Sequence, residues 1–305
     1  MELEGRVVGL NKDNIEIFKV FCRKYRNLVD DSFLYEEDLR QLIINSKNPT
    51  YLYIEEENVV AAVSLIVDEY YKRSKKARFR IFYSEKNDIK IYYSLLGSIL
   101  VHTKSLEKIY IFVPTTNENL MRMIESIGFY KDRYVSLMIR EGNNIVTEEL
   151  SEGYSIKEFN PNEDAKDWCI IRNLSFSTVK GNETPISTTM LLESLENEDY
   201  IPDGMIMLKY NDLPIGIVKC SKDVYEDEPI INIGPLGIHP DYQKKGLGKA
   251  LLREAIKLAN DKGYNKCILS VNADNENAKK IYKNEGFKEV EGAICYEYIL
   301  KKSSE

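Results

Sequence analysis

Residues 108–129, KIYIFVPTTNENLMRMIESIGF, return in altered form as residues 266–287, KCILSVNADNENAKKIYKNEGF. Lys108, Val113, Asn117, Glu118, Asn119, Gly128 and Phe129 each meet an identical residue 158 positions later, with no gap. A chain of 305 residues carrying such a copy is restricted to folds made of two like halves. The likeness extends upstream. Residues 50–67, TYLYIEEENVVAAVSLIV, and 204–220, GMIMLKYNDLPIGIVKC, each read as two strands around a polar turn, at Glu57-Asn58 and Asn211-Asp212. Ahead of these hairpins, residues 13–45 and 161–197 carry apolar residues at helical spacing. Each half is therefore predicted to run as a short strand, helices, a hairpin, a strand, a helix, a strand, a helix and two final strands. The polar stretch EGNNIVTEELSEG, 141–153, marks the join. Domains are expected over 1–145 and 146–305.

Composition removes several classes. Hydrophobic residues at 43% and charged residues at 30% are the balance of a globular chain with a core in each half. No run approaches the roughly 18–20 apolar residues of a membrane span, so no membrane partner is expected. Met1-Glu2-Leu3-Glu4-Gly5 lacks the basic-then-apolar order of a signal peptide. Cys22, Cys169, Cys220, Cys267 and Cys295 are scattered and form no CxxC pair, which reads as reduced thiols in a cytoplasmic protein. With His102 and His239 as the whole histidine complement, no metal is expected. A formal net charge of −7 argues against nucleic acid as a partner.

The most informative stretch is 230–262, IINIGPLGIHPDYQKKGLGKALLREAIKLANDK. An apolar strand ends near Ile238, and Gln243-Lys244-Lys245-Gly246-Leu247-Gly248 leads into a helix with Ala250, Leu251, Leu252, Ala255, Ile256 and Leu258 on its apolar face. A helix start offers unpaired N–H groups and the positive end of a dipole, so it attracts phosphate. Glycines at 246 and 248 let the backbone approach a bulky pyrophosphate, and Lys244, Lys245 and Lys249 add charge. A Walker loop needs GxxxxGK followed by Ser or Thr, and a dinucleotide fingerprint needs a third glycine where Leu251 stands; neither is present. A glycine-containing turn before a surface helix is the plainer reading of the same residues.

These residues resemble the GCN5-related N-acetyltransferase (GNAT) family, whose signature is a strand, then Gln/Arg-x-x-Gly-x-Gly/Ala, then a helix. Leu236-Gly237-Ile238-His239-Pro240 is similar to the family's bulged strand and proline. Val271 through Ala278, leading to Tyr282 and Gly286-Phe287, is similar to the strand, helix and Gly-Phe turn that follow. The likeness is clear over about 204–300, and the repeat carries it in weaker form into the first half. The tandem order resembles two-domain members of the family such as mycothiol synthase, with no substrate implied. The implied fold class is α/β: two tandem domains, each a mixed, mostly antiparallel sheet flanked by helices.

The resemblance implies an acetyl-CoA co-substrate held by Leu236, Gly237, Ile238, Gln243, Lys244, Lys245, Gly246, Leu247, Gly248, Lys249, Asn275, Ala278 and Tyr282. The backbone N–H groups of Leu236 and Ile238 are the expected donors to the cofactor, one of them to the thioester oxygen. Asn275, Ala278 and Tyr282 share a helix face, which makes Asn275 a contact to the carrier arm and Tyr282 an acid for the departing thiolate. Packing is the alternative role for Tyr282. The base is harder to find. Some family members place a glutamate a few residues before the bulge, and the matching position is Asn232. Glu228, just upstream, could act through water, or belong with Glu226 and Asp227 to a solvated hairpin end.

The first half keeps the scaffold pattern and loses these residues. Ile124 stands where the second half has Tyr282, and Ser84-Glu85-Lys86-Asn87-Asp88-Ile89-Lys90-Ile91-Tyr92-Tyr93 replaces the glycine loop. No acyl-CoA site is expected there; the first domain would shape the acceptor pocket instead. Tyr51, Tyr53, Tyr70, Tyr71, Tyr92 and Tyr93 could line a cleft or simply pack. The expected activity is transfer of an acetyl group to a primary amine of a small molecule or peptide, by a monomer or homodimer. The alternative is a non-catalytic acyl-CoA-binding sensor.

Overall fold

Three tight turns organise the sheets. Glu56-Glu57, Asn211-Asp212 and Glu226-Asp227 each place two consecutive residues at positive φ, between 46° and 67°. That is the backbone of a two-residue hairpin turn whose twist matches its flanking strands. In the computed structural model, which describes residues 5–144 and 150–300, the elements of the first half are β1 (Arg6–Gly9), α1 (Ile15–Tyr25), α2 (Glu36–Arg40), β2 (Thr50–Glu55), β3 (Asn58–Ile66), α3 (Glu69–Arg73), β4 (Lys76–Ser84), α4 (Ile89–Leu100), β5 (Lys108–Pro114), α5 (Glu118–Ser126) and β6 (Tyr130–Glu141). The second half has β7 (Tyr154–Glu158), α6 (Pro161–Phe176), α7 (Thr188–Glu193), β8 (Tyr200–Tyr210), β9 (Leu213–Tyr225), β10 (Glu228–Ile238), α8 (Leu247–Asp261), β11 (Lys266–Asn272), α9 (Glu276–Asn284) and β12 (Lys288–Ile299). β5, α5 and β6 begin at Lys108, Glu118 and Tyr130, and β11, α9 and β12 at Lys266, Glu276 and Lys288, so the 158-residue offset of the sequence is kept.

Two readings shift. The first hairpin turns at Glu56-Glu57, one residue earlier than the polar pattern suggested. Each half ends in one strand of 12 residues rather than two strands.

The chain forms two compact units. The first joins residues up to Val135 with those from Glu291 onward, and the second spans Ser136–Val290. In the first unit the strand order is β1-β2-β3-β4-β5-β12, with β4 and β5 parallel over Lys76–Arg78 and the other neighbouring strands antiparallel. Its core gathers Phe18, Leu52, Phe79, Phe82, Leu95, Ile124 and, from the last strand of the chain, Tyr296. In the second unit the order is β6-β11-β10-β9-β8-β7, with β10 and β11 parallel. Its α8 face buries Leu251, Leu252, Ala255 and Ile256 against Ile215, Ile231 and Ile238, and its α6 face buries Trp168 with Phe159, Met207 and Ile217. Burying each large side chain contributes about 1.5–3 kcal/mol. The expected architecture, a mixed and mostly antiparallel sheet flanked by helices in each half, is present.

All five cysteines are free and buried. Burial pushes the thiols of Cys22, Cys220, Cys267 and Cys295 up to about 12, which keeps them protonated and unreactive. Residues 145–149 of the join lie outside the described residues. No helix among the described residues is long and apolar enough to cross a membrane.

Candidate active site

The site begins where β10 comes apart from β11. The two strands pair only at Ile231–Cys267 and Asn232–Ile268. On its other edge β10 stays with β9, but one extra residue is absorbed between Ile233 and Leu236. A bulge there bends the strand and leaves backbone groups without a ladder partner. The N–H of His239 donates to the Ile215 carbonyl at 2.7 Å, so His239 faces β9. By strand alternation, the N–H groups of Leu236 and Ile238 face the opposite way, toward the opening left by β11. The Ile238 carbonyl on that side accepts from Gln243 Nε2 at 3.0 Å, which makes Gln243 a brace holding the strand end. A Cβ on Gly237 would meet Ser175 Cβ at 2.8 Å, so this glycine serves the close packing of α6.

The loop after β10 supplies the second component. Lys244 (φ +63°) and Gly246 (φ +79°) are both left-handed, on either side of Lys245. Alternating conformations of this kind turn successive N–H groups toward one concavity suited to an anion. Gly246 is the N-cap of α8, and no side chain caps the helix start. A Cβ there would meet nothing within 4 Å, so the space above it is open. Gly248 is less demanding, since a Cβ would make ordinary contact with Ile238 and Leu236 at 3.8 and 3.9 Å. The Leu247 side chain is buried in the core, leaving its backbone for any ligand. Lys245 Nζ lies 5.0 Å from the centre of the Tyr242 ring, Lys244 is exposed and Lys249 is half-buried. Uncapped N–H groups, left-handed turns, open space and three lysines fit a pyrophosphate.

The third component is α9. Asn275 is its N-cap, and its side-chain oxygen accepts from the Ala278 N–H at 3.2 Å. Asn275 thus starts the helix, and its amide nitrogen remains for a ligand. Arg253 on α8 holds Glu285 at the end of α9 through two contacts of 2.8 and 3.0 Å, and Arg140 donates to the Glu285 carbonyl at 2.9 Å. These fix the helix that carries Tyr282. The Tyr282 ring packs on Phe287 at 6.0 Å and is half-buried, and its hydroxyl has no protein hydrogen-bond partner among the described residues. Burial alone pushes its pKa up to about 12, so the phenol keeps its proton through the neutral range.

Glu228 is not brought to this place. It lies at the hairpin end, exposed and ion-paired with Lys266 at 3.3 Å, eight strand residues before Leu236 or about 26 Å along the chain. A carboxylate that sequence reading missed is bonded to Asn232, the residue standing where some family members place glutamate. Asp223 on β9 accepts from Asn232 Nδ2 at 2.8 Å through one oxygen and from the Val224 N–H at 2.8 Å through the other. The register sets Asp223 opposite Ile230 and Asn232 opposite Ser221, a diagonal that two short polar side chains can close. A signal existed in the alternation of β9 around the Glu226-Asp227 turn, which puts Asp223 and Asn232 on one face.

Among the described residues no group of three or more His, Cys, Asp or Glu is arranged to hold a metal ion.

Residues 166–287 match the family model described as the acetyltransferase (GNAT) family. A mycothiol acetyltransferase of Paenarthrobacter aurescens is 30% identical over 156 residues, covering 50% of this chain and 48% of that protein. An uncharacterized N-acetyltransferase of Methanocaldococcus jannaschii is 32% identical over 92 residues, 29% of this chain and 41% of that protein. The chain thus aligns with about half the length, or less, of these curated relatives. Among solved structures, a GCN5-related N-acetyltransferase from Sphaerobacter thermophilus superposes with a TM-score of 0.73 at 14% identity, over 97% of this chain and 96% of that one. A tandem GNAT protein from the clavulanic acid biosynthesis pathway gives 0.68 at 12% identity, over 97% and 98%. At such identity the structural likeness speaks for the fold alone.

Proposed function

We propose that this chain, whose residues 166–287 match the acetyltransferase (GNAT) family model and whose two halves share the fold of tandem GNAT proteins, transfers an acetyl group from acetyl-CoA to a primary amine of a small molecule or peptide, with the acyl carrier held by the second unit. The observation that carries this reading is the uncapped start of α8, entered through left-handed Lys244 and Gly246, beside a strand whose Leu236 and Ile238 N–H groups face an opening. The pyrophosphate takes the N–H groups of the loop. The carrier arm extends a strand-like edge along Leu236–Ile238. One of those two N–H groups donates to the thioester oxygen as it gains charge. Asp223, oriented by Asn232, accepts the proton of the attacking amine through intervening water. The amine nitrogen bonds to the acyl carbon, the C–S bond breaks, and the Tyr282 hydroxyl protonates the thiolate.

We assign no acyl-CoA site to the first unit. The support is local: Asp88 already caps the start of α4, accepting from the Lys90 N–H at 2.9 Å, and Tyr92 is buried below it with its hydroxyl against the Ser84 N–H at 3.2 Å.

A second reading, a non-catalytic acyl-CoA sensor, draws on Asn232 at the place where some family members carry glutamate. Titrating the purified chain with acetyl-CoA by calorimetry, then adding a panel of primary amines and following release of the free thiol, separates the two. Saturable binding with amine-dependent thiol release is expected. Binding without release to any amine leaves the sensor, and no binding removes the acetyl-CoA assignment.

A further inference from the structure

The face of the first unit that corresponds to Asp223 and Asn232 carries arginines. Arg78 pairs with Tyr110 in the β4–β5 register as Asn232 pairs with Ile268 in the second unit, and Tyr110 and Ile268 are repeat partners. Along β4, Phe79 and Ile81 enter the core, so Arg78 and Arg80 share the opposite face. Arg78 Nη2 contacts Asp30 Oδ2 at 2.5 Å, and its guanidinium lies 4.7 Å from the Phe33 ring centre and 4.8 Å from that of Phe112. Arg133, paired with Asp132, lies 5.3 Å from the same Phe112 ring.

Arg80 differs. Its one hydrogen bond runs from Nη2 to Asn48 Oδ1 at 3.0 Å, and among the described residues no carboxylate is in ion-pair contact with it. Four guanidinium nitrogens here are buried without any hydrogen-bond partner: Arg78 Nε, Arg80 Nε, Arg80 Nη1 and Arg133 Nε. Leaving a buried donor of a charged group unmade costs more than a formed hydrogen bond returns. Burial pulls the pKa of Arg80 down, with the charge of Asp38 opposing, which is the behaviour of a buried cation short of a counter-charge. Tyr71 lies within electrostatic range of both arginines, its hydroxyl is hydrogen-bonded to Tyr110 and Arg78, and burial holds its phenol protonated.

We propose that this face of β4 is a binding site for a small organic anion, whose carboxylate or phosphate is taken by Arg80 and the Nε of Arg78 and whose body lies against Tyr71 and Phe112. A planar fork with free donors matches a carboxylate or a phosphate oxygen pair, and the arginine-faced ring offers an apolar wall beside it. The site is separate from the acyl-CoA loop and does not depend on acetyl transfer.

The test is titration of the full chain with sodium phosphate and with sodium succinate, each against sodium chloride at matched ionic strength, read by calorimetry and by melting temperature. At least one anion should bind saturably in the millimolar range or tighter. Phosphate alone or succinate alone identifies which group the fork takes. Arg80→Leu should weaken that binding at least tenfold, leave acetyl-CoA affinity unchanged, and melt no lower than the parent without anion, since it removes an unpaired buried charge. If Arg80→Leu fails to fold, Arg80→Lys, which keeps charge but loses the fork, should weaken binding about tenfold. No saturable binding of either anion, binding unchanged by these variants, or a folded Arg80→Leu that melts well below the parent would overturn the proposal.

Discussion

At the start of α8 the chain passes through left-handed Lys244 and Gly246 and brings no side chain to the first N–H groups. At the start of α4, the equivalent place in the first half, Asp88 fills that position with its own carboxylate. The scaffold around the two is alike: in both halves the strand before the helix leaves its parallel neighbour after a few residues, at Arg78 and at Asn232. A helix start favours a negative group by about 0.3–1 kcal/mol, up to about 2 when partly buried. In the first half Asp88 occupies that advantage internally, and its charge would repel a phosphate. Four residues join β4 to α4, whereas eight join β10 to α8 and can curve into a cradle. Duplication thus preserved the opening between strands, and the helix cap together with the length and fill of the connecting loop decides whether that opening can serve a phosphate carrier.

The largest effect expected from this comparison is on acetyl-CoA binding. Gly246→Trp fills the open space above the loop and forces a bulky residue to φ +79°. Calorimetry should show one site per chain in the parent and at least a hundredfold loss in the variant. Two sites in the parent would break the comparison, because α4 would then be binding despite its cap. Next in size is the base. Asp223→Asn should lower kcat about 10²–10³-fold while acetyl-CoA affinity stays within twofold. The swap Asp223→Asn with Asn232→Glu, which moves the carboxylate to β10, should recover part of the loss. An Asp223→Asn protein with parental kcat would remove Asp223 from the mechanism.

These residues were not equally visible in the sequence. The glycine loop was legible because its demands are local: positive φ at Gly246 and a helix with the apolar spacing of Leu251, Leu252, Ala255 and Ile256. The tandem α/β architecture was legible because the repeat keeps its register from β5 to β6. Asp223 was not, since it reaches Asn232 only through the β9–β10 register and the local charge cluster drew attention to Glu228. Arg78 and Arg80 read as the polar positions of an alternating strand, and only burial without partners distinguishes them. Closure of the first unit by the last strand was also hidden. The order of elements is the same whether Tyr296 packs in its own half or beside Phe79 and Ile124.

Tyr282 against Ile124 gives a smaller, separable effect. Tyr282→Phe removes a hydroxyl with no protein partner, so the melting temperature at neutral pH should change little. If the phenol protonates the thiolate, kcat should fall about 10- to 100-fold with acetyl-CoA affinity kept. Unchanged kcat would return Tyr282 to a packing role, like Ile124. The pH dependence has a definite sign. The folded phenol at about 12 lies above its ordinary value near 10, so its contribution to stability is complete below pH ~10 and is lost as pH rises toward 12. Relative to the parent, Tyr282→Phe should therefore gain stability in that alkaline window.

The smallest effect tests the cap itself. Asp88→Ala removes the acceptor of the Lys90 N–H and should cost about 1 kcal/mol, read as a lower melting temperature or denaturant midpoint. It should not create acetyl-CoA binding in the first unit. Removing the carboxylate frees the N–H groups of α4, but the four-residue connection and the buried Tyr92 still deny the backbone a cradle. A second calorimetric site in Asp88→Ala would mean that the cap alone had silenced the first half. One site would mean that loop length and the aromatic fill around Phe82 and Tyr92, whose rings stand 5.2 Å apart, exclude the carrier as well.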